Sequence, residues 1–214
     1  YKFRPTASEY IFKDGIDNDG NSKQQRMEAA LKILEEFGYD PNDYLLHNTI
    51  KLYLDYKDKK EFEGFEDLMK SHISRENIRY IYEGLITSVI NTVDGLKLKK
   101  FTDSDSTVKQ RKDAALKLIN EFKYDQQYDL IKLIKIYLEH QSKDIEDLMK
   151  QGIRLHIIEY IYEGTDVSEI EKRKQAALKL VGLGYIQSLD FIKLITIYIN
   201  QPGIEDLMKQ GIRL

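Results

Sequence analysis

The eleven residues IEDLMKQGIRL at 145–155 return letter for letter at 204–214. Chance does not copy a stretch of mixed polar and apolar residues, so the first question is what larger unit carries it. AALK begins at Ala29, Ala114 and Ala176. EDLMK begins at Glu66, Glu146 and Glu205. IKLYL, IKIYL and ITIYI begin at Ile50, Ile134 and Ile195, and YIYEG stands at 80–84 and 160–164. YIFKDG at 10–15 is the same element with one residue added. The order never changes: a basic stretch, AALK, an Ile-x-x-Tyr element, EDLMK, then YIYEG.

Spacing locates the additions. AALK to EDLMK takes 37 residues (29 to 66), 32 (114 to 146) and 29 (176 to 205). EDLMK to the next AALK takes 48 (66 to 114) and 30 (146 to 176), so the period is roughly 60 residues and the first full unit carries extra residues after Gly84. The divisions that follow are 1–15, the tail of a preceding unit; 16–84, unit one; 85–107, an insertion; 108–164, unit two; and 165–214, a shortened unit three. The register begins late in one unit and stops within another. A window cut from a longer array accounts for this best. Closure of the two ends on each other, or a head-to-tail joint of Phe3–Gly15 with Gly211–Leu214 of another copy, also fits.

Within the unit the pattern is helical. Ala115, Leu118, Ile119 and Phe122 recur at i, i+3, i+4 and i+7, as do Ala30, Ile33, Leu34 and Phe37. DNDGNS, TDSDST and TDVSE precede these runs and supply side-chain oxygens for first-turn amides. Gly38 and Gly184 follow them, where a left-handed residue ends a helix, and Lys123 stands at that place in unit two. DLIKLIKIYLEH at 129–140 is apolar on nearly every side and reads as a buried central helix. DIEDLMKQ opens with acids suited to a helix start, and RLHIIEYIYE is a fourth short helix. Asp94-Gly95, between β-branched runs in SVINTVDGLKLKKFT, predicts a β-hairpin. The fold class is therefore all-α: an α-solenoid-like helical repeat array of about four helices per unit, with one β-hairpin insertion.

Composition narrows the function. The 214 residues carry 33 basic and 36 acidic side chains, a net charge of −3, which offers no whole-surface attraction to nucleic acid or anionic lipid. No cysteine is present, which removes disulfides, thiolate metal sites and thiol nucleophiles and points to an intracellular location, cytoplasm or nucleus. No apolar run reaches the ~20 residues of a membrane span, so no membrane partner is expected.

Three features invite chemistry. KQQR, KQRK and EKRK begin the AALK helices. Basic groups there oppose the helix dipole, so Lys109, Arg111 and Lys112, with Lys172, Arg173 and Lys174, are candidates to hold an acidic partner. The plainer alternative is an ion pair to the recurring acids, Glu146 and Asp147 for example. Asp94 and Gly95 at the insertion tip are further partner contacts.

Second, DIEDLMKQGIRLHIIEYIYEG resembles the helix-turn-helix pattern of DNA-binding proteins, with Gly152 at the turn, Ile153 after it, and Ile158 and Ile161 fixing the second helix. Unit one follows with His72, Ile73, Ile78 and Ile81. The resemblance implies a reading face of Arg75 and Arg79, or Arg154 and His156. Leu148 departs from the small residue the pattern wants, and Glu76 and Glu159 put acid on the face that meets phosphate.

Third, DGIDNDGN suggests calcium, but alignment on Gly20 puts Gly15 first and Arg26 twelfth, which leaves those two positions without their acids. His47, His72, His140 and His156 do not recur at equivalent positions, so no metal site is expected. No cofactor motif or nucleophile signature is present. Tyr53, Tyr137 and Tyr198 hold one fixed position and Tyr82 and Tyr162 another, which means packing. The expectation is a non-catalytic scaffold that meets a protein partner or its own copies, with nucleic-acid binding as the alternative.

Overall fold

Each AALK helix starts where its cap predicts. Ser22 accepts from the Gln25 amide while the Gln25 side chain accepts from the Ser22 amide, which opens the helix Lys23–Glu35. Thr107 and Gln110 make the same reciprocal pair before Val108–Asn120. Asp166 accepts from the amides of Ser168 and Glu169 at the start of Val167–Gly182. At the other end Gly38 and Gly184 have φ of +72° and +83°, and Lys123 takes the same left-handed backbone at +60°. Local chemistry thus sets both ends of the repeated helix.

The computed structural model describes residues 2–59, 64–92, 95–124, 129–141, 143–185, 187, 190–201 and 203–209, with backbone only at 86–102. Among them the chain is all-helical apart from one strand pair. The elements are α1 (Pro5–Phe12), α2 (Lys23–Glu35), α3 (Leu46–Tyr56), α4 (Phe65–Lys70), α5 (Arg75–Glu83), β1 (Leu85–Thr92), β2 (Gly95–Thr102) and α6 (Val108–Asn120). There follow α7 (Leu130–Glu139), α8 (Lys143–Lys150), α9 (Leu155–Tyr162), α10 (Val167–Gly182), α11 (Phe191–Asn200) and α12 (Ile204–Lys209). The chain divides into two compact units, Tyr1–Lys112 and Asp113–Leu214.

In the first unit α1 packs on α2 and α3, and α2 on α3. Its core holds Ile33, Leu46, Ile50, Leu68, Met69, Ile78 and Ile81. In the second, α9 packs on α10 and α11, and α10 on α11. Leu118, Leu133, Ile134, Ile145, Leu148 and Ile158 fill that core. The three Ile-x-x-Tyr elements are helices, although their residues favour strand, because their apolar side chains are needed on more than one side.

β1 and β2 pair antiparallel from Leu85–Thr102 to Thr92–Gly95. Gly95 is therefore a ladder residue, one position past the turn the Asp-Gly pair suggested; Asp94 lies outside the described residues. Gly84 ends α5 in the left-handed region, and the Asp103 amide donates to its carbonyl at 2.8 Å. The segment 85–102 thus leaves the helices and returns to them at one point. No described helix is long and apolar enough to cross a membrane.

Candidate functional site

Two polar devices recur, and both bind helices to each other. The first joins the three strongest sequence motifs. Lys32 of AALK lies 2.6 Å from Glu66 of EDLMK, and Tyr53 of the central helix donates to the same oxygen at 3.1 Å. Lys117 and Tyr137 meet Glu146 at 2.5 and 2.9 Å. Lys179 and Tyr198 meet Glu205 at 3.0 and 2.7 Å. One glutamate therefore ties two helices to its own at each sequence-equivalent place.

The electrostatics lock these groups. The Lys32 and Lys117 ammoniums, by hydrogen bonding, hold Glu66 and Glu146 below the usual carboxylate range. Lys209, then Tyr198 and Lys179, bring Glu205 to about 2. The same hydrogen bonds raise Lys32 and Lys117. Burial raises Tyr53 and Tyr137, and takes Tyr198 to about 12. At neutral pH the glutamate is ionised, the lysine charged and the tyrosine neutral. None is moved toward the range where a general acid or base works.

The second device uses the arginine three residues before each AALK. Arg26 donates from Nε to the Tyr10 carbonyl at 2.9 Å and from its terminal nitrogens to Asn21 and Lys13. Arg111 donates from Nε to Ile81 at 2.9 Å and from a terminal nitrogen to Ser106. Arg173 donates to the carbonyls of Tyr160 and Glu163 at 3.0 and 2.9 Å. Each guanidinium also lies over the ring of the first tyrosine of the preceding YIYEG-type helix: Tyr10 at 5.6 Å, Tyr80 at 5.7 Å and Tyr160 at 4.8 Å. Arg26 is 0% exposed and Arg111 4%. These arginines tie the start of their own helix to carbonyls at the end of the preceding YIYEG-type helix, and Arg26 and Arg111 also reach the loop between the two.

The basic helix starts are thus divided in role. Arg111 and Arg173 are spent on backbone. Lys174, 4% exposed, is held by Asp144 at 3.1 Å and by Glu171. Lys172 pairs with Glu169 at 2.8 Å. Lys109 is exposed, and the Lys112 stem passes over Gly64, where a Cβ would meet its Cδ at 3.4 Å. The acids of EDLMK do not serve these basic starts: Glu146 goes to the AALK lysine instead. That lysine lies six residues after Arg111 on α6, between one and two helical turns further along.

The helix-turn-helix-like residues differ in their settings. Arg79 lies 3.9 Å from Glu83. Arg75 and His156 are partly buried, and their Nε and Nε2 atoms have no hydrogen-bond partner. Arg154 is exposed at the α9 N-cap, its amide bonded to Gln187 at 2.7 Å. Sequence reading missed both polar devices, although an arginine at a fixed offset from AALK was in plain view in all three copies.

In the second unit a cavity of ≈ 360 Å³ is lined by His140, Asp144, Tyr162, Val167, Glu171 and Lys174, with others at its rim. Two of its lining residues, His140 and Tyr162, stack with ring centroids 4.2 Å apart. At the sequence-equivalent places of the first unit Tyr56, Phe65 and Tyr82 stack against one another. Among the described residues no three metal-ligating side chains cluster. No protein-family model, curated protein or solved structure matches the chain.

Proposed function

We propose that this chain is a non-catalytic array of helical repeat units that serves as a scaffold for protein–protein contact or assembly. The observation that carries the reading is the threefold recurrence of the Lys–Glu–Tyr tie and the arginine staple at sequence-equivalent places. Those side chains would be the natural candidates for acid–base or anion chemistry, and each is engaged in joining helices. What recurs on the outside is then a surface, which suits a partner that is itself extended or repeated. The segment 85–102 is read as a β-hairpin inserted between Gly84 and Asp103, a local addition to that surface. Lys109 is an exposed basic group on it.

The alternative is nucleic-acid binding, for which exposed Arg154 is the best-placed group. Fluorescence anisotropy with mixed DNA and RNA duplexes, titrated against salt, separates the two. The scaffold reading expects no submicromolar binding even at low salt. Submicromolar binding with a steep salt slope would replace it, since that slope counts phosphate contacts.

A further inference from the structure

The cavity of the second compact unit is walled by four helices. Glu139 and His140 come from the end of α7, Asp144 from the start of α8, Tyr162 from the end of α9, and Glu171 and Lys174 from α10. Its ≈ 360 Å³ falls within the range of roughly 300–1,000 Å³ that small ligands and their polar anchors fill.

The charge of the lining is unbalanced. Glu139, Asp144 and Glu171 carry three negative charges and Lys174 one positive, which leaves two negative charges with histidine counted as neutral. Lys174 is 4% exposed and meets Asp144 Oδ2 at 3.1 Å and one oxygen of Glu171, so its charge is already shared between two acids. Asp144 Oδ1 and the Glu139 carboxylate have no hydrogen-bond or ion-pair partner among the described residues. An anion would be repelled by this excess, and a cation is drawn by it. The same field reaches the neighbouring ring: burial, then Asp144 and Glu171, push the Tyr162 hydroxyl up to about 12. Tyr162 itself is half-buried and puts an aromatic ring in the wall, which adds to the attraction of a cation.

The two acids around Lys174 are particular to this place. Asp144 stands where the other copies have Gly64 and Gly203, and Glu171 where they have Gln24 and Lys109. The other copies form the same helices without them, so helix formation does not call for either acid.

We infer that this cavity takes an organic cation, a guanidinium or primary ammonium group, seated among Glu139, Asp144 and Tyr162. As the end of an arginine or lysine side chain, that group gives the scaffold a basic protein partner, and to that extent the inference rests on the scaffold reading.

An NMR titration of the full chain at low salt tests it, following the His140 ring and the Tyr162 amide. The probes are a blocked Gly-Arg-Gly peptide, the same peptide with citrulline in place of arginine, and agmatine, which is the arginine side chain as a small amine. The arginine peptide should give saturable shifts with a Kd of about 1 mM or tighter, and the citrulline peptide none. Glu139→Gln and Asp144→Gly should each weaken binding about threefold or more, with unchanged circular dichroism. The first alters an exposed side chain, and the second installs the residue of the other copies. Saturation by agmatine but not by the peptide supports the cation site and makes its ligand a small molecule. The site is overturned if the citrulline peptide binds as the arginine peptide does, if neither cation saturates by about 10 mM, or if both variants bind like the parent. Duplex binding in the anisotropy experiment would end the scaffold reading and leave this titration untouched, so the two failures are distinguishable.

Discussion

Lys32 lies 2.6 Å from Glu66, 34 residues later in the chain, and the same lysine-to-glutamate contact recurs as Lys117–Glu146 and Lys179–Glu205. A surface pair of this kind is worth about 0–1 kcal/mol, but here a tyrosine hydroxyl shares the carboxylate. The tie spans three helices. Glu146→Gln keeps an acceptor for Tyr137 and loses the ion pair. It should lower stability by about 1 kcal/mol, read as a shift in the urea midpoint at constant slope.

Acid should expose the same groups. Glu66, Glu146 and Glu205 ionise more readily folded than unfolded, so their contribution is complete above the ordinary glutamate value of about 4.3. It is lost as pH falls toward the folded values, about 2 for Glu205. Thermal melts from pH 5 down to about 2 should show a steep loss in the parent and a shallower one in Glu146→Gln. Parallel curves would mean that the tie contributes nothing.

The alkaline limb has the opposite sign. Burial pushes Tyr39, Tyr162 and Tyr198 up to about 12, so the folded state holds protons the unfolded state gives up. Their stabilisation is complete below about pH 10 and lost between that and about 12. Phenolate absorbance should therefore rise late and together with the loss of helical circular dichroism. Independent early titration of these tyrosines would contradict their burial.

Arg111 should be the costliest single arginine to lose in the second half of the staple set. Arg111→Met leaves the Ile81 and Ser106 carbonyls without their donor in a buried place. A loss of about 2–3 kcal/mol is expected, against less for Arg173→Met, whose site is partly exposed. Urea unfolding of both variants gives the comparison, and equal costs would show that burial does not set the scale.

Lys123 offers a gain. It holds φ of +60° at the place where the other two units have Gly38 and Gly184. Its side chain is exposed, so little packing is lost with it. Lys123→Gly should raise stability by about 1 kcal/mol by removing the strain of Cβ in the left-handed region. A lower melting temperature in the variant would mean that Lys123 makes contacts worth more than that strain.

How far the sequence reaches can be seen in single residues. Ser22, Thr107 and Asp166 cap helices because the amides they serve are two or three residues away. Gly38 and Gly184 end helices for an equally local reason. The apolar spacing of Ala115 and Leu118 faces one side of α6 whatever lies beside it. Gly95 stands in the ladder opposite Thr92, which the Asp-Gly pair alone did not indicate.

Arg111 was legible as a recurring charge and misread as a contact for a partner. Nothing within its own helix shows that the carbonyl of Ile81, thirty residues earlier, is brought to its Nε. The same holds for Glu146, whose lysine could be any of several until α6, α7 and α8 come together. By itself the sequence determined the helices, their ends and the unit that repeats, since these depend on neighbours within a few residues. Only the tertiary structure decided which charges are spent inside the fold and which stay on its surface. A charge finds its partner across space, and burial then sets the cost of leaving it without one.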